Sequence, residues 1–417
     1  MKDLTKKIAT VAATSALLFG TALPVLGVSI ELTGNGEDSY NKADVEVENS
    51  VFVEQVNEAY ISNDVVVDAD SGHNDANRNT GGDVTVSTGD SGALVTVNNQ
   101  ANSNIADVEG CCGVDADVLI SGNGADSKNK VYLDINEDLE GPATYVGQFN
   151  DAEVYNDVDM NTSTGYNDAN RNTGGDVEVT TGSAYSATDI KTALNSNSAY
   201  VGGGEGGALS AQILGNGENS YNKIDLDYEM ETVVLQDNDA YVWNGVYADA
   251  KTGYNDANRN TGGGVEISTG DAGVDIAIDN MANFNAADVE CGCLMDVWAK
   301  IGGNGADSYN KIEAELESYS GVKQGNFLTS GAFDNLVDVS AKTGKNDANG
   351  NTGDPGDDPS VDTGNSAVVV DIGNAGNTNV YGNGMGWVWP EMPGMDFGEM
   401  HFSWSWASMW GMFGLNL

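Results

Sequence analysis

The residues best placed to do chemistry lie in a motif that recurs four times. Asn-Asp-Ala-Asn-x-Asn-Thr-Gly starts at Asn74, Asn167, Asn255 and Asn346. Its oxygen-bearing side chains fall at alternate positions, as in a calcium loop, because hard cations take several oxygens from a curled segment. The first copy offers Asp75, Asn77, Asn79, the Gly81 carbonyl and Asp83. The second offers Asp168, Asn170, Asn172, the Gly174 carbonyl and Asp176. The third and fourth offer Asp256, Asn258 and Asn260, and Asp347, Asn349 and Asn351, but their ninth-position acid is replaced by Gly264 and Pro355. Thr80 stands where an EF-hand has its sixth-position Gly, and Val86 where it has its bidentate Glu. The same residues also suit Asx-turns, in which Asn and Asp side chains cap nearby backbone. Both readings stand at this point: calcium at these loops, or a set of structural turns.

The cations are equally regular. The only arginines, Arg78, Arg171 and Arg259, all sit inside this motif. Lys42, Lys130, Lys223 and Lys311 close a second motif, Gly-Asn-Gly-x-x-Ser-x-Asn-Lys, which starts at Gly34, Gly122, Gly215 and Gly303. In so acidic a chain this placement is not random. It predicts a ladder in which each cation pairs with an Asp of an adjacent coil. Exposed pairs contribute little each, but guanidinium geometry fixes register.

No catalytic constellation emerges, and the chain is expected not to be an enzyme. The only histidines are His73 and His401, and the other repeats have Tyr or Lys at the position of His73. The few cations are too committed to the repeats to form the basic groove of a polysaccharide lyase. Of the four cysteines, Cys111 and Cys112 are adjacent, and Cys291 and Cys293 flank Gly292. Outside the cytosol such thiols favour disulfides, closed within each pair or between molecules.

The elements that must position these residues are repeats. Successive motifs are spaced 88, 93 and 88 residues apart for Gly-Asn-Gly, and 93, 88 and 91 for Asn-Asp-Ala-Asn. This defines four units, 28–121, 122–214, 215–302 and a truncated 303–381. Period-2 alternation at Val45, Val47, Val51, Val53, Val65, Val67, Val84, Val86, Val95 and Val97 predicts inward-facing strands. Gly, Asn and Asp turns cut each unit into segments of about twenty-two residues, a suitable length for one coil. The expected fold is all-β, a parallel β-solenoid of four tandem units with a thin Val, Ile and Ala core and Asn ladders at its corners. Four β-sandwich domains are the alternative, but a sandwich needs large core aromatics, and only Trp243 and Trp298 lie outside the tail among the tryptophans.

Gln55-x-Asn57-x-Ala59-x-Ile61-x-Asn63-x-Val65 recurs as Gln148-x-Asn150-x-Ala152-x-Val154-x-Asn156-x-Val158, and again from Gln236 to Val246. This pattern resembles curlin-type repeats, the amyloid β-solenoid subunits of bacterial surface fibres. The resemblance covers one segment in three of the units. It implies a fibre-forming surface protein, although the acidity departs from that family.

The first residues carry Lys2, Lys6 and Lys7, and an apolar run follows from Ile8 to Gly27, so residues 1–27 read as a secretory signal peptide. Its removal takes away three lysines and one aspartate and moves the net charge from −47 to −49. Such a charge disfavours nucleic acid and anionic membranes as partners. The tail, 382–417, holds five of the seven tryptophans. Trp387, Trp389, Phe402, Trp404, Trp406 and Trp410 read as an end cap or as an attachment segment, because such a patch is costly to leave wet. The expected function is that of a secreted structural protein at the cell surface, a fibre, surface-layer or extracellular-matrix subunit whose partner is itself. The alternative is a calcium-dependent adhesin that binds the cell envelope or glycans.

Overall fold

Alternation of apolar and polar residues produces strands with one buried face, and in this chain those strands stack on their own repeats. A computed structural model describes residues 17–22, 26–109, 114–136, 139–202, 207–290, 296–353 and 356–382. These residues form nineteen strands and no helix. β1 (Leu17–Ala22) comes first. The first coil then runs through β2 (Leu26–Thr33), β3 (Tyr40–Val47), β4 (Val51–Asp70), β5 (Val84–Ser87) and β6 (Ser91–Glu109). The second contains β7 (Val114–Ser121), β8 (Lys128–Ile135), β9 (Thr144–Ser163), β10 (Val177–Thr180) and β11 (Ala184–Gly202). The third contains β12 (Ala208–Leu214), β13 (Tyr221–Lys251), β14 (Val265–Ser268) and β15 (Ala272–Val289). The last contains β16 (Asp296–Gly302), β17 (Tyr309–Lys342), β18 (Ser360–Asp362) and β19 (Ser366–Tyr381).

Every pairing between these strands is parallel, and from β2 onward each joins one coil to the next. Gln55 faces Gln148, then Gln236, then Gln324. Lys42 faces Lys130, Lys223 and Lys311 in the same way. The protein is therefore a parallel β-solenoid, and separate sandwich domains are excluded, because hydrogen bonds cross between units in all four sheets. The coil itself differs from expectation. One ninety-residue unit is one coil, not a stack of four, and its strands reach 34 residues in β17. Turn residues cut the chain into short pieces, but those pieces bend around one large loop instead of closing on themselves.

The coil is flattened. Near the Gly-Asn-Gly turn, the sheet of β2, β7, β12 and β16 packs on β3, β8 and the first part of β13 around Val118, Ile120, Leu133, Ile135, Leu209 and Ile224. Farther along, β4, β9 and the rest of β13 face β6, β11 and β15 around Val146, Val154, Val158, Ile190 and Ile276. At the other end Val84, Val177 and Val265 close over Ala169 and Ala257 of the Asn-Asp-Ala-Asn turns. The two motifs thus form the two narrow edges. Backbones stack at the second edge without room for side chains: a Cβ on Gly165 would lie 1.9 Å from the Gly253 carbonyl oxygen.

The amides are not confined to corners. They run through the interior between the two faces, where Gln148, Asn156, Asn197 and Asn285 are fully buried. Asn57 Nδ2 donates to Asn104 Oδ1 across the core at 2.7 Å, and Asn150 and Asn238 repeat the bond to Asn197 and Asn285. A buried amide left unpaired costs about 1–3 kcal/mol, so these columns hold both register and facing.

Candidate functional site

Two features of this scaffold stand out chemically: the turn edge that carries the arginines, and the open end of the last coil.

At the turn edge Asp75, Asp168, Asp256 and Asp347 bridge one another in register. Asp75, with Asn77, Arg78 and the counterparts of those two in the other coils, including Gly350 in the last, lines a groove of about 900 Å³. The expected calcium ligands do not curl around one point. Asn77 Oδ1 accepts the Asn170 N–H at 2.5 Å, and Asn170 Oδ1 accepts that of Asn258 at 2.6 Å. Asn258 Oδ1 accepts from Asn349. Asn172, Asn260 and Asn351 accept from Asn79, Asn172 and Asn260 in turn. Asp83 and Asp176 cap the N–H groups of Asp176 and Gly264. The alternate oxygens thus serve the neighbouring coil, as in Asx-turns repeated between coils. Among the described residues no group of three or more His, Cys, Asp or Glu could hold a metal ion. Burial, reinforced by Asp75, pushes the Asp168 carboxyl above its ordinary value, and burial with Asp168 and Asp347 does the same to Asp256.

The arginines depart from the expected ladder of ion pairs. Arg78, Arg171 and Arg259 are exposed, and among the described residues no carboxylate oxygen lies within 4 Å of them. Their counterpart columns explain why. The aspartates stand three residues earlier, and the left-handed backbone at each Arg, φ 59–63°, turns the chain between them. The lysines follow the expectation only in part. Lys42 pairs with Asp44 and Lys311 with Glu313 of their own strands. Lys223 pairs with Asp225 at 2.5 Å and reaches Glu313 of the next coil at 2.8 Å. Lys130 lies 5.9 Å from the Tyr221 ring centre. The sequence reading missed one column beside the arginines. His73, Tyr166 and Tyr254 stack at 4.9 and 4.7 Å, and Lys345 sits 4.9 Å from the Tyr254 ring centre. Its signal was the aromatic residue just before the motif in each of the first three units.

Among the described residues nothing stacks on the last coil, and its burial reflects this. Ile312 is 45% exposed, whereas its in-register neighbour Ile224 is fully buried. Val370 and Ile372 are open, whereas Ile276 and Ile278 beneath them are buried. The amide columns also have a direction. Asn57 donates to Asn150, Asn150 to Asn238 and Asn238 to Asn326. Asn63, Asn156, Asn244 and Asn335 follow the same order. In these asparagine columns donors therefore point toward the last coil, whereas the Gln55–Gln148–Gln236–Gln324 column runs the other way, each Nε2 donating toward the first coil. At the first coil, Asn57 Oδ1 and Asn63 Oδ1 accept no hydrogen bond among the described residues.

Cys111, Cys112, Cys291 and Cys293 lie outside the described residues, and so does the tail beyond Gly382 with Trp387, Trp389, Phe402, Trp404, Trp406 and Trp410. Of the leader, 17–22 and 26–27 are described, as β1 and the start of β2. No protein-family model, curated protein or solved structure matches this chain.

Proposed function

We propose that the protein is a secreted structural subunit of an extracellular fibre, surface layer or matrix, built by stacking the first coil of one copy on the last coil of another. The observation that carries this is the polarity of the amide columns. In each column a free donor meets a free acceptor only when the first coil of one copy meets the last coil of another, and such a head-to-tail contact propagates unless its rotation closes a ring. Support also comes from the half-exposed Ile312, Val370 and Ile372, which a further coil would cover. A free edge as long as β17 is a template for another strand. The Gln55–Gln148–Gln236–Gln324 column accords with the resemblance to curlin-type repeats. In this reading the aromatic tail, which follows the last coil, attaches the subunit to its neighbour or to the envelope.

The test is sedimentation and negative-stain microscopy of the purified full chain beside a Val370→Lys/Ile372→Lys variant. Filaments from the first and folded monomers from the second are expected. A wild-type chain that stays monomeric at every concentration overturns the proposal.

A further inference from the structure

Among the described residues the arginines have no ion-pair partner, and the opposite narrow edge suggests where one comes from. The tip of the Gly-Asn-Gly turn carries Glu37 and Asp38 in the first coil, Asp126 in the second, Glu218 in the third and Asp307 in the fourth. Every coil therefore shows at least one carboxylate there. All five residues are exposed, and none is in an ion pair among the described residues. The two edges lie at opposite ends of the flattened coil.

We propose that copies of this chain also associate side by side, with the Arg78–Arg171–Arg259 edge of one copy against the Glu37–Asp126–Glu218–Asp307 edge of the next. The inference extends the stacking reading to a second direction.

Three observations carry it. The first is the backbone. Arg78, Arg171 and Arg259 all take φ near +60°, and Gly350 takes φ 65° at the same place in the last coil. That conformation costs a residue with a Cβ about 1–2 kcal/mol. Glycine would satisfy the turn, so three arginines there are explained by what their side chains meet. The second is that the arginines do not neutralise their own edge. Asp75 lines the same groove, and the column it begins keeps its charges unneutralised: burial and neighbouring aspartates leave Asp168 and Asp256 raised. The third is pitch. Both edges repeat along the stacking axis at the spacing of parallel strands, about 4.8 Å, so docking one coil brings the others into reach, with the carboxylates alternating between two adjacent turn positions: Asp38, Asp126 and Asp307 in one column, Glu37 and Glu218 in the next. Each exposed pair is weak, but pairs on one rigid scaffold act together once the first has formed. The mixed charge of the groove means that the contact is set at short range, by register.

The experiment uses the full chain in two charge-reversed forms. One carries Arg78→Glu, Arg171→Glu and Arg259→Glu; the other carries Glu37→Lys, Asp38→Lys, Asp126→Lys, Glu218→Lys and Asp307→Lys. Circular dichroism confirms that each retains the β-fold, and an Arg→Lys triple variant keeps the charge as a control. Microscopy reads filament width separately from filament length. Wild type and the Arg→Lys control are expected to form assemblies several stacks wide. Each reversed form alone is expected to give filaments one stack wide, and an equimolar mixture to recover the width. Reversed forms as wide as wild type overturn the proposal. If no form makes filaments, end stacking fails instead. Side-by-side pairing is then read by sedimentation, as a lateral dimer that each reversal weakens at least tenfold; equal dissociation constants overturn it.

Discussion

Asn156 Oδ1 accepts from Asn63 Nδ2 at 2.7 Å, one coil below and in the same sheet. The same oxygen accepts from Asn99 across the core at 3.0 Å, while Asn156 Nδ2 donates to Asn244 at 2.6 Å. Asn156 is fully buried. Asn156→Leu leaves three buried amides short of a partner, at about 1–3 kcal/mol each. A loss of about 3–5 kcal/mol is expected by urea unfolding. Asn161→Leu, on the outer face, should cost under about 1 kcal/mol. Equal losses at the two sites would show that the interior amides do not hold the fold.

Stacked backbones at the turn edge leave no room at Gly165, where an added Cβ would meet the Gly253 carbonyl oxygen. Gly165→Ala must therefore separate two coils and should lower the melting temperature by several degrees. Gly89→Ala, with open space around the site, should not. Thermal unfolding followed by circular dichroism compares them.

Much of this was legible in the sequence. The inward set of Val45, Val53, Val84 and Val97 is buried as alternation requires. The ninety-residue period emerges as the coil repeat, because Gln55 lies in register with Gln148. Coil length was not legible from turn signals, because Gly and Asn mark every bend, whether the chain closes a loop or only rounds a corner. The recurrence of residue identity at 88–93 positions, and not at twenty-two, was the usable signal. The arginine edge was legible as a column. That its arginines have no ion-pair partner among the described residues was not, because a left-handed φ three residues after Asp75 leaves no trace that composition can show.

Acidification should stabilise this fold. Burial is the leading cause that pushes Asp134, Asp151, Asp168 and Asp256 up, with neighbouring carboxylates adding to it. Asp275 and Asp279 are also raised, chiefly by burial. Asp249, despite burial, is held low by Lys251. Carboxyls raised in the folded state bind protons there more readily than in the unfolded chain, so stability grows as pH falls through the raised values. The gain is complete below the ordinary carboxylate value. A melting temperature higher at pH 5 than at pH 7.5 is expected, and the reverse order would show that lowered groups such as Asp249 dominate.

Asp168 tests the same repulsion directly and bears on calcium. Its carboxyl is flanked in register by Asp75 and Asp256. Asp168→Asn should raise the melting temperature at pH 7.5 and lose that advantage at pH 4. Millimolar calcium should stabilise the wild type by binding the folded state, and the gain should shrink in the variant. Calorimetry that detects no calcium binding at millimolar concentration assigns the loops to structure alone.

Removing the tail separates attachment from capping. β19 ends at Tyr381, so a stop after Gly382 keeps every described strand and deletes Trp387, Trp389, Phe402, Trp404, Trp406 and Trp410. Those side chains bury apolar area worth about 25 cal/mol per Å² when they find a partner, enough for association after the cost of ordering a segment. If they attach the subunit, the shortened chain should melt as the full chain does and be shed from cells into the medium. If they cover the last coil, Ile312, Val370 and Ile372 lose that cover, and the shortened chain should melt earlier and form longer filaments while staying cell-associated. The attachment reading expects the first result, and the second would replace it with a cap that limits growth at the last coil.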